Sequence, residues 1–418
     1  LQFAQSPNFV LILADDMGWN GTSVQISPNE SGSKSDFYET PNLELMAADG
    51  MTFAQGYAPA AKCSPTRCAI LTGESPARNQ FTEVANTIAS GQILVEATTN
   101  NSIETNDITI AEWLKTLGLS YRTGHYGKWH IGSNGPADHG FDYEDGNNSN
   151  NQGNAANGQT IQDDPKKMFD ITSKGIQFMS DAVNASEPFY LQLSHYAVHA
   201  AIETTQASYD HFAAKTPGAI HDNIEFAGMT MDLDSTIGMI LNAIDTLGIS
   251  NNTYVIFISD NGAGNASNNA PLREQKAYIY EGGIRVPVII KGPNIPANSN
   301  SSVPVNGYDI FPTIAEWTGS SVATPSVLDG ESLVPVLNQN PFTRAEPLYF
   351  HIPHYNSGTG KTPMSAVVDG NYKLIVDYET GIDYLYDLDT NISETNNVAS
   401  SNPTIVESLK IKLRDYLK

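Results

Sequence analysis

Short apolar runs alternate with segments of helical spacing along most of this chain. The runs Phe9–Ala14, Phe189–Ser194 and Tyr254–Ser259 are apolar over nearly their whole length, which is typical of strands buried on both faces of a sheet. Apolar residues recur at helical spacing in three further segments, Pro41–Met51, Ile108–Leu117 and Met229–Leu247. The alternation of strands and helices up to about residue 335 predicts an α/β fold with a central, mostly parallel sheet flanked by helices.

The pattern changes after about residue 340. Four short strands are predicted there, joined by Gly- and Asn-containing turns, at Leu348–Ile352, Ser365–Val368, Tyr372–Val376 and Leu385–Asp387. A predicted helix follows them at Thr404–Leu417. We therefore predict an N-terminal α/β domain over residues 1–338 and a C-terminal subdomain over residues 339–418, with a small antiparallel sheet and one helix. Residues 79–106 and 145–164 are predicted loops, either solvated insertions or segments that face a substrate.

The charge balance limits the classes of partner. Forty-six acidic residues against 22 basic ones give a net charge of −24, which argues against nucleic acid or an anionic membrane as a partner. No apolar run approaches the ~20 residues needed to cross a bilayer. The chain starts at Leu1, without Met, as a mature exported protein would after removal of its signal, although a sequence trimmed there for another reason would look the same. We expect a periplasmic or extracellular protein.

Acidic and amide side chains follow two of the predicted strands. Asp15 and Asp16 come directly after the first run, and Asp260 and Asn261 follow the run that ends at Ser259. Adjacent carboxylates repel each other unless a cation lies between them, and an all-oxygen set suits a hard ion such as Ca²⁺ or Mg²⁺. A single pair of polar residues after a strand is more often a solvated turn. Two such strand ends, each followed by glycine within two residues, favour a divalent metal site instead.

The run Cys63-Ser64-Pro65-Thr66-Arg67, followed by Leu71-Thr72-Gly73, carries the most specific signal. These residues allow two interpretations. Cys63 could be a thiolate at a helix N-terminus beside a cation, or it could be a buried cysteine beside a surface arginine. The whole string resembles the signature of the type I sulfatases of the alkaline phosphatase superfamily. The resemblance implies that a maturation enzyme oxidises Cys63 to formylglycine, an aldehyde whose hydrate is the nucleophile. It also implies that Arg67 binds the hydrate and the metal-linked carboxylates, and that position 63 itself is a metal ligand.

Four further positions match the pattern of this family. Lys128 and His130 in Gly127-Lys128-Trp129-His130 are two residues apart and would project from one face of an extended segment. By resemblance, Lys128 bridges the formylglycine and a sulfate oxygen, while His130 hydrogen-bonds the hydrate and helps to eliminate sulfate. His199 would protonate or orient the bridging oxygen of the leaving alcohol. Lys276 resembles the second sulfate-binding lysine.

The sequence allows two interpretations for some neighbouring residues. His195, four residues before His199, is either a substrate contact or a packed histidine outside the catalytic set. Glu281 and Arg285 form a structural ion pair rather than a catalytic one in our interpretation. Residues 274 and 275 are Glu and Gln where relatives often have glycine, which leaves the local loop geometry in doubt.

The resemblance implies an alkaline-phosphatase-like architecture and a sulfuric ester hydrolase. We expect a bacterial polysaccharide sulfatase whose partner is a sulfated carbohydrate, plausibly from marine algae. The alternatives are an arylsulfatase, a phosphate or phosphonate ester hydrolase on the same scaffold, and a non-catalytic glycan-binding protein. Three C-terminal residues, His351, His354 and Tyr355, are either sugar contacts or ordinary surface side chains.

Overall fold

A mixed sheet of eight strands forms the centre of the part of the chain that the structure describes. This computed structural model describes residues 6–85, 92–104, 106–325, 327–355 and 361–418. Its strands are β1 (Asn8–Ala14), β2 (Met51–Phe53), β3 (Gly56–Tyr57), β4 (Arg122–Gly127), β5 (Tyr143–Glu144), β6 (Phe189–Ser194), β7 (Thr253–Ser259), β8 (Val288–Lys291), β9 (Ser299–Ser301), β10 (Val305–Asn306), β11 (Leu348–Ile352), β12 (Met364–Asp369), β13 (Tyr372–Asp377) and β14 (Asp383–Asp387). The central sheet has the order β5-β4-β6-β1-β7-β8-β2-β9.

All pairs in this sheet are parallel except those that β8 makes with β7 and β2. The predicted mostly parallel α/β fold is therefore confirmed. Strands β4, β6, β1 and β7 are consecutive and parallel, so their carboxyl ends meet at one edge of the sheet. In open α/β sheets this edge is where ligands bind.

Helices cover both faces of the sheet. They are α1 (Pro41–Ala48), α2 (Cys63–Thr72), α3 (Ile110–Thr116), α4 (Met168–Ala185), α5 (Gln206–Ala213), α6 (Ile224–Thr246), α7 (Glu281–Ile284), α8 (Ile310–Thr318), α9 (Val334–Leu337) and α10 (Pro403–Tyr416). Alternate residues of β1 belong to two separate buried clusters. Leu11 packs in a cluster with residues of α2, α3 and α8, and Ile12 packs in a cluster with residues of α1, α4 and α6. Both faces are thus buried, which explains why β1 is apolar throughout.

The predicted helix Pro41–Met51 is shorter in the structure. It ends at Ala48, and Met51 already begins β2. Gly50 explains the early end, because a Cβ atom there would lie 2.4 Å from the carbonyl oxygen of Ile290 on the neighbouring β8. The close approach of two backbones excludes a side chain and a further helical turn at this point.

The predicted C-terminal sheet and helix are confirmed. Strands β11 to β14 form a four-stranded antiparallel sheet in sequence order, and α10 packs on one of its faces. The predicted boundary at residues 338 and 339 falls between α9 and β11 and stays a prediction. None of the helices in the described ranges is both long and apolar enough to cross a membrane. Export also stays a prediction.

A buried ionic network joins the small sheet to the α/β layers. Lys373 on β13 lies 2.9 Å from a carboxylate oxygen of Glu281 on α7 and 2.9 Å from one of Glu394. Arg285 donates to the second oxygen of Glu281 at 3.0 Å, which confirms the structural ion pair predicted from the sequence. Lys373, Glu281 and Glu394 are fully buried, so each charge depends on the others.

We expect Lys373→Met to lower the free energy of unfolding by about 3–5 kcal/mol, because it leaves two buried carboxylates without their shared cation. Urea denaturation followed by circular dichroism measures this loss. Lys410→Met is the matched control, because Lys410 is partly exposed and its pair with Asp383 should contribute less than about 1 kcal/mol. Equal stability of the two variants would contradict the role given to the network.

Candidate active site

Four strand ends bring the predicted site residues together. Asp15 and Asp16 follow β1, Asp260 and Asn261 follow β7, and Lys128 follows β4. The loop after β6 contains both His195 and His199. Because these strands are parallel neighbours, residues far apart in the sequence converge at one edge of the sheet.

Helix α2 brings the cysteine of the motif to the same edge. Cys63 is the first residue of α2. Its Sγ lies 3.6 Å from an oxygen of Asp15, 4.0 Å from one of Asp16 and 3.1 Å from Nζ of Lys276. Burial, together with the charge of Asp260, raises the pKa of Cys63 to about 12. This direction favours a neutral thiol over the alternative of a thiolate stabilised by the helix N-terminus.

Arg67 lies one helical turn after Cys63 and faces the same carboxylates. Its Nε and Nη2 donate to one oxygen of Asp260 at 2.9 and 2.7 Å, and Nη1 donates to the carbonyl of Lys128 at 2.7 Å. It is 1% exposed, so the predicted alternative of a surface arginine is wrong. The guanidinium therefore fixes the ends of β7 and β4 relative to α2.

Each of the three site cations has a different carboxylate partner. Besides the Arg67–Asp260 pair, Lys128 donates to Asp15 at 2.5 Å and Lys276 donates to Asp16 at 2.6 Å. Burial alone would raise the pKa of Asp15, but Lys128 and Arg67 outweigh it and hold that pKa well below its usual range. The carboxylate of Asp15 is therefore ionised at neutral pH.

The acidic groups and the cysteine fit a divalent ion. Ligand atoms of Asp15, Asp16, Cys63 and Asp260 all lie within 4.8 Å of one another. Asn261 adds an amide whose Nδ2 donates to Asp16 at 2.7 Å, while its buried Oδ1 has no partner among the described residues. An unpartnered buried oxygen beside three carboxylates is a donor set that suits a hard ion.

His130 and His199 both line the cavity above Cys63, whereas His195 is not among the lining residues. His130 is partly buried, its buried Nδ1 has no hydrogen-bond partner in the described part of the chain, and burial with the nearby charge of Lys128 lowers its pKa to about 3. Nε2 of the partly exposed His199 lies 3.8 Å from an oxygen of Asp16. His195 is 1% exposed, and burial lowers its pKa to about 4. This position favours the packed alternative for His195, whose role stays a prediction.

Two backbone positions of the site are strained. Asp16 has φ 61° and His130 has φ 57°, in the left-handed region that non-glycine residues seldom adopt. Each follows a strand end within three residues, where the chain turns sharply to aim a polar side chain at Cys63. Such strain is retained where the surrounding contacts determine the geometry.

The cavity above Cys63 has a volume of about 600 Å³. Its wall includes Lys62, Glu83 and Asn150, which the sequence did not single out. Glu83 and Asn150 belong to the two predicted polar loops, so the described parts of both loops reach the cavity. This favours the substrate-facing alternative for them. The enrichment of these loops in polar residues was the available signal, but it could not identify the positions.

The three C-terminal residues considered as sugar contacts make protein contacts. His354 Nε2 hydrogen-bonds Thr82 Oγ1 at 2.7 Å, and the hydroxyl of Tyr355 accepts from the backbone N–H of Leu94 at 3.1 Å. His351 Nδ1 lies 2.6 Å from Ser365 Oγ within the small sheet. Two of these side chains therefore join the described residues Thr82 and Leu94 of the predicted loop to the C-terminal subdomain.

Comparison with known proteins defines the class. Residues 7–320 match the family described as Sulfatase, and residues 274–418 match the family described as N-sulphoglucosamine sulphohydrolase, C-terminal. The chain belongs to the sulfatase family, within the alkaline phosphatase-like superfamily, and is a hydrolase of sulfate esters. The predicted recognition, fold class and enzyme class are confirmed.

Similar proteins span nearly the whole chain. A protein named Sulfatase from Formosa agariphila is 30% identical, over 99% of this chain and 89% of its own length. The N-acetylgalactosamine-6-sulfatase of Mus musculus is 30% identical, over 88% of this chain and 72% of its own length. The crystal structure of Ps i-CgsB in complex with k-i-k-neocarrahexaose has a TM-score of 0.80 and 25% identity, and the match covers 99% of this chain and 93% of that one.

Proposed function

We propose that this enzyme removes sulfate from a sulfated carbohydrate, through a formylglycine derived from Cys63 and a divalent ion held beside it. The observation that carries the proposal is the position of Cys63 Sγ, 3.1 Å from Nζ of Lys276 and 3.6 Å from a carboxylate oxygen of Asp15. The oxidised residue 63, when present, supplies a hydrated aldehyde as the nucleophile toward sulfur. The ion, when bound, supplies positive charge that orients this group and the sulfate.

Calcium is the proposed ion, with magnesium as the alternative. Asp15, Asp16, Asp260 and Asn261 would hold it together with residue 63. Three carboxylates are neutralised by Arg67, Lys128 and Lys276 in the present arrangement. Adding an anionic sulfate ester to this balanced set calls for further positive charge, which a divalent ion supplies.

The two lysines of the site bind and orient the sulfate in our proposal, while Arg67 binds the hydrate at residue 63 and the carboxylates. Lys276 lines the cavity and its Nζ lies beside position 63, so it can donate to a sulfate oxygen there. Lys128 is fully buried and donates to Asp15, and we propose that it bridges the sulfate and residue 63. Arg67 holds Asp260 and leaves the carboxylate geometry fixed during turnover.

The two histidines have separate roles in this proposal. His199 is partly exposed at the cavity wall, and we propose that it protonates or orients the bridging oxygen of the leaving alcohol. His130 is neutral, and its Nδ1 has no hydrogen-bond partner within the described residues, so we propose that it hydrogen-bonds a hydroxyl at position 63. It would later take the proton that must leave this group when sulfate departs.

Two kinds of observation support a carbohydrate as the substrate, the names of similar proteins and the residues that line the cavity. One relative is named an N-acetylgalactosamine-6-sulfatase, and one structural neighbour is in complex with k-i-k-neocarrahexaose. Residues of two polar loops line the cavity, where they could contact a glycan chain. We propose a sulfated polysaccharide or its oligosaccharides, such as those of marine algae.

The test is sulfate release from defined substrates. A panel of carrageenan, chondroitin and heparan oligosaccharides is compared with an aryl sulfate and an aryl phosphate, using fully matured enzyme. We expect the highest kcat/KM on a sulfated oligosaccharide. Faster turnover of the aryl sulfate than of every oligosaccharide would favour the arylsulfatase alternative, and faster turnover of the aryl phosphate would favour the phosphoesterase alternative.

A further inference from the structure

A second cavity adjoins the one above Cys63, between the α/β layers and the C-terminal sheet. Its volume is about 350 Å³, and Lys62, Glu83 and Ala277 belong to the walls of both cavities. A molecule bound at Cys63 can therefore extend into the second cavity past a shared boundary.

Two cations that line this second cavity form no ion pair with a carboxylate of the described residues. Lys361 Nζ is buried, lies over the ring of Tyr278 and has no hydrogen-bond partner among the described residues. The guanidinium of Arg273 lies 3.9 Å from the ring centroid of Tyr280, and its Nη1 donates to neutral oxygens at 3.1 Å. Neither cation has a carboxylate oxygen within 4 Å in the described part of the chain.

The acidic groups of the cavity are mostly engaged elsewhere. Glu83 forms an ion pair with Lys62. Asp377 accepts backbone N–H groups of Glu379 and Thr380 at 3.0 and 3.1 Å. Glu274 is the remaining lining carboxylate, and it makes no ion pair among the described residues. The lining thus contains three basic and three acidic side chains, an even balance in a chain that is strongly acidic overall, and Lys361 and Arg273 form no ion pair among the described residues.

A buried ammonium without a partner is unfavourable. Burial lowers the pKa of Lys361 to about 6, against the opposing charge of Glu274, and the charge of Lys62 acts in the same direction as burial. An anion placed in the cavity would restore the charged form of this lysine and pair with it. The tyrosine rings beside both cations add apolar faces of the kind that pack against a sugar ring.

We infer that this second cavity binds another anionic group of the same glycan, a sulfate or a carboxylate, on a sugar next to the one that loses its sulfate. The inference rests on the proposed function, since it concerns a glycan held at Cys63. The substrate would then carry at least two anionic groups. Selectivity would come from Lys361 and Arg273 rather than from the residues around Cys63.

The test compares a disulfated with a monosulfated tetrasaccharide of the same backbone, chosen from those that the wild-type enzyme hydrolyses. We expect the wild type to prefer the disulfated one, mainly through a lower KM. Lys361→Gln should reduce this preference about tenfold, since a hydrogen bond to a charged group is lost, while Lys361→Arg should keep most of it. The matched control is Lys410→Gln, a surface lysine on α10, which should keep the wild-type preference.

A third substrate distinguishes the two anions. A monosulfated tetrasaccharide with a neighbouring uronic acid should show the same dependence on Lys361 if the cavity takes a carboxylate, and none if it takes only a sulfate. An unchanged preference in Lys361→Gln, or no preference in the wild type, would overturn the inference and leave the proposed function intact. Turnover of an aryl sulfate but of no oligosaccharide would overturn both.

Discussion

Replacement of Cys63 by alanine is expected to abolish sulfate release, with a fall in kcat of roughly 10⁴-fold or more, because no other side chain can supply the nucleophile. The thiol lies beside Asp15 and Lys276, and its loss removes only a small buried group. The fold should therefore survive. Initial rates on an aryl sulfate and far-ultraviolet circular dichroism measure the two quantities.

The same helix offers a matched control. Cys68 is also buried in α2, but it lies in the apolar cluster with Leu71 and away from the carboxylates. Cys68→Ala should lose some stability, as a buried truncation does, and keep its activity. Equal loss of activity in both variants would contradict the special role of position 63 and would point to damage of the helix.

Removal of divalent ions is expected to lower the activity by about 10²-fold or more, because the site then lacks charge that complements the sulfate. Dialysis against a chelator, followed by addition of Ca²⁺ or Mg²⁺, measures the loss and its recovery. Asp16→Asn should weaken metal binding, because it removes one ligand charge and the partner of Lys276. Bound metal, measured by mass spectrometry, should fall with the activity.

The control for the metal experiment is Asp245→Asn, an exposed carboxylate at the end of α6. It should bind metal and release sulfate as the wild type does. A fully active enzyme after complete removal of divalent ions would contradict the proposed metal site. Loss of metal in Asp245→Asn would show that the measured ions are bound by surface carboxylates and not by the proposed site.

The strands that position the site could be predicted because their signal is local. Burial on both faces gives β1, β6 and β7 continuous apolar runs, and the predicted bounds of β6 are those observed. The acidic pairs at the strand ends could be proposed for the same reason, since Asp15-Asp16 and Asp260-Asn261 directly follow apolar runs. Lys128, His130, His199 and Lys276 were proposed from the resemblance instead. Parallel pairing then brings those ends to one edge of the sheet.

Other features depend on contacts that no local pattern contains. The antiparallel direction of β8 is set by its pairing with β7 and β2. The shared burial of Glu281, Lys373 and Glu394 joins three distant segments. The raised pKa of the Cys63 thiol results from burial and from the charge of Asp260, whereas the sequence indicated only a helix N-terminus.

The residues that line the two cavities also depend on contacts that no local sequence pattern contains. Lys62 and Glu83 pair across the opening, and Lys361 approaches from the C-terminal sheet. A lysine next to Cys63 in sequence could have been suspected. The position of Lys361, almost 300 residues further along the chain, follows only from the packing of the two layers.

The most direct test of the account relates activity to the chemical state of residue 63. Preparations made with and without a maturation enzyme are digested, and the peptide that contains residue 63 is weighed to give the fraction that has lost sulfur and gained an aldehyde. The account predicts that sulfate release rises in proportion to this fraction and vanishes with it. A preparation that retains the unmodified thiol and hydrolyses sulfate esters at the full rate would contradict it.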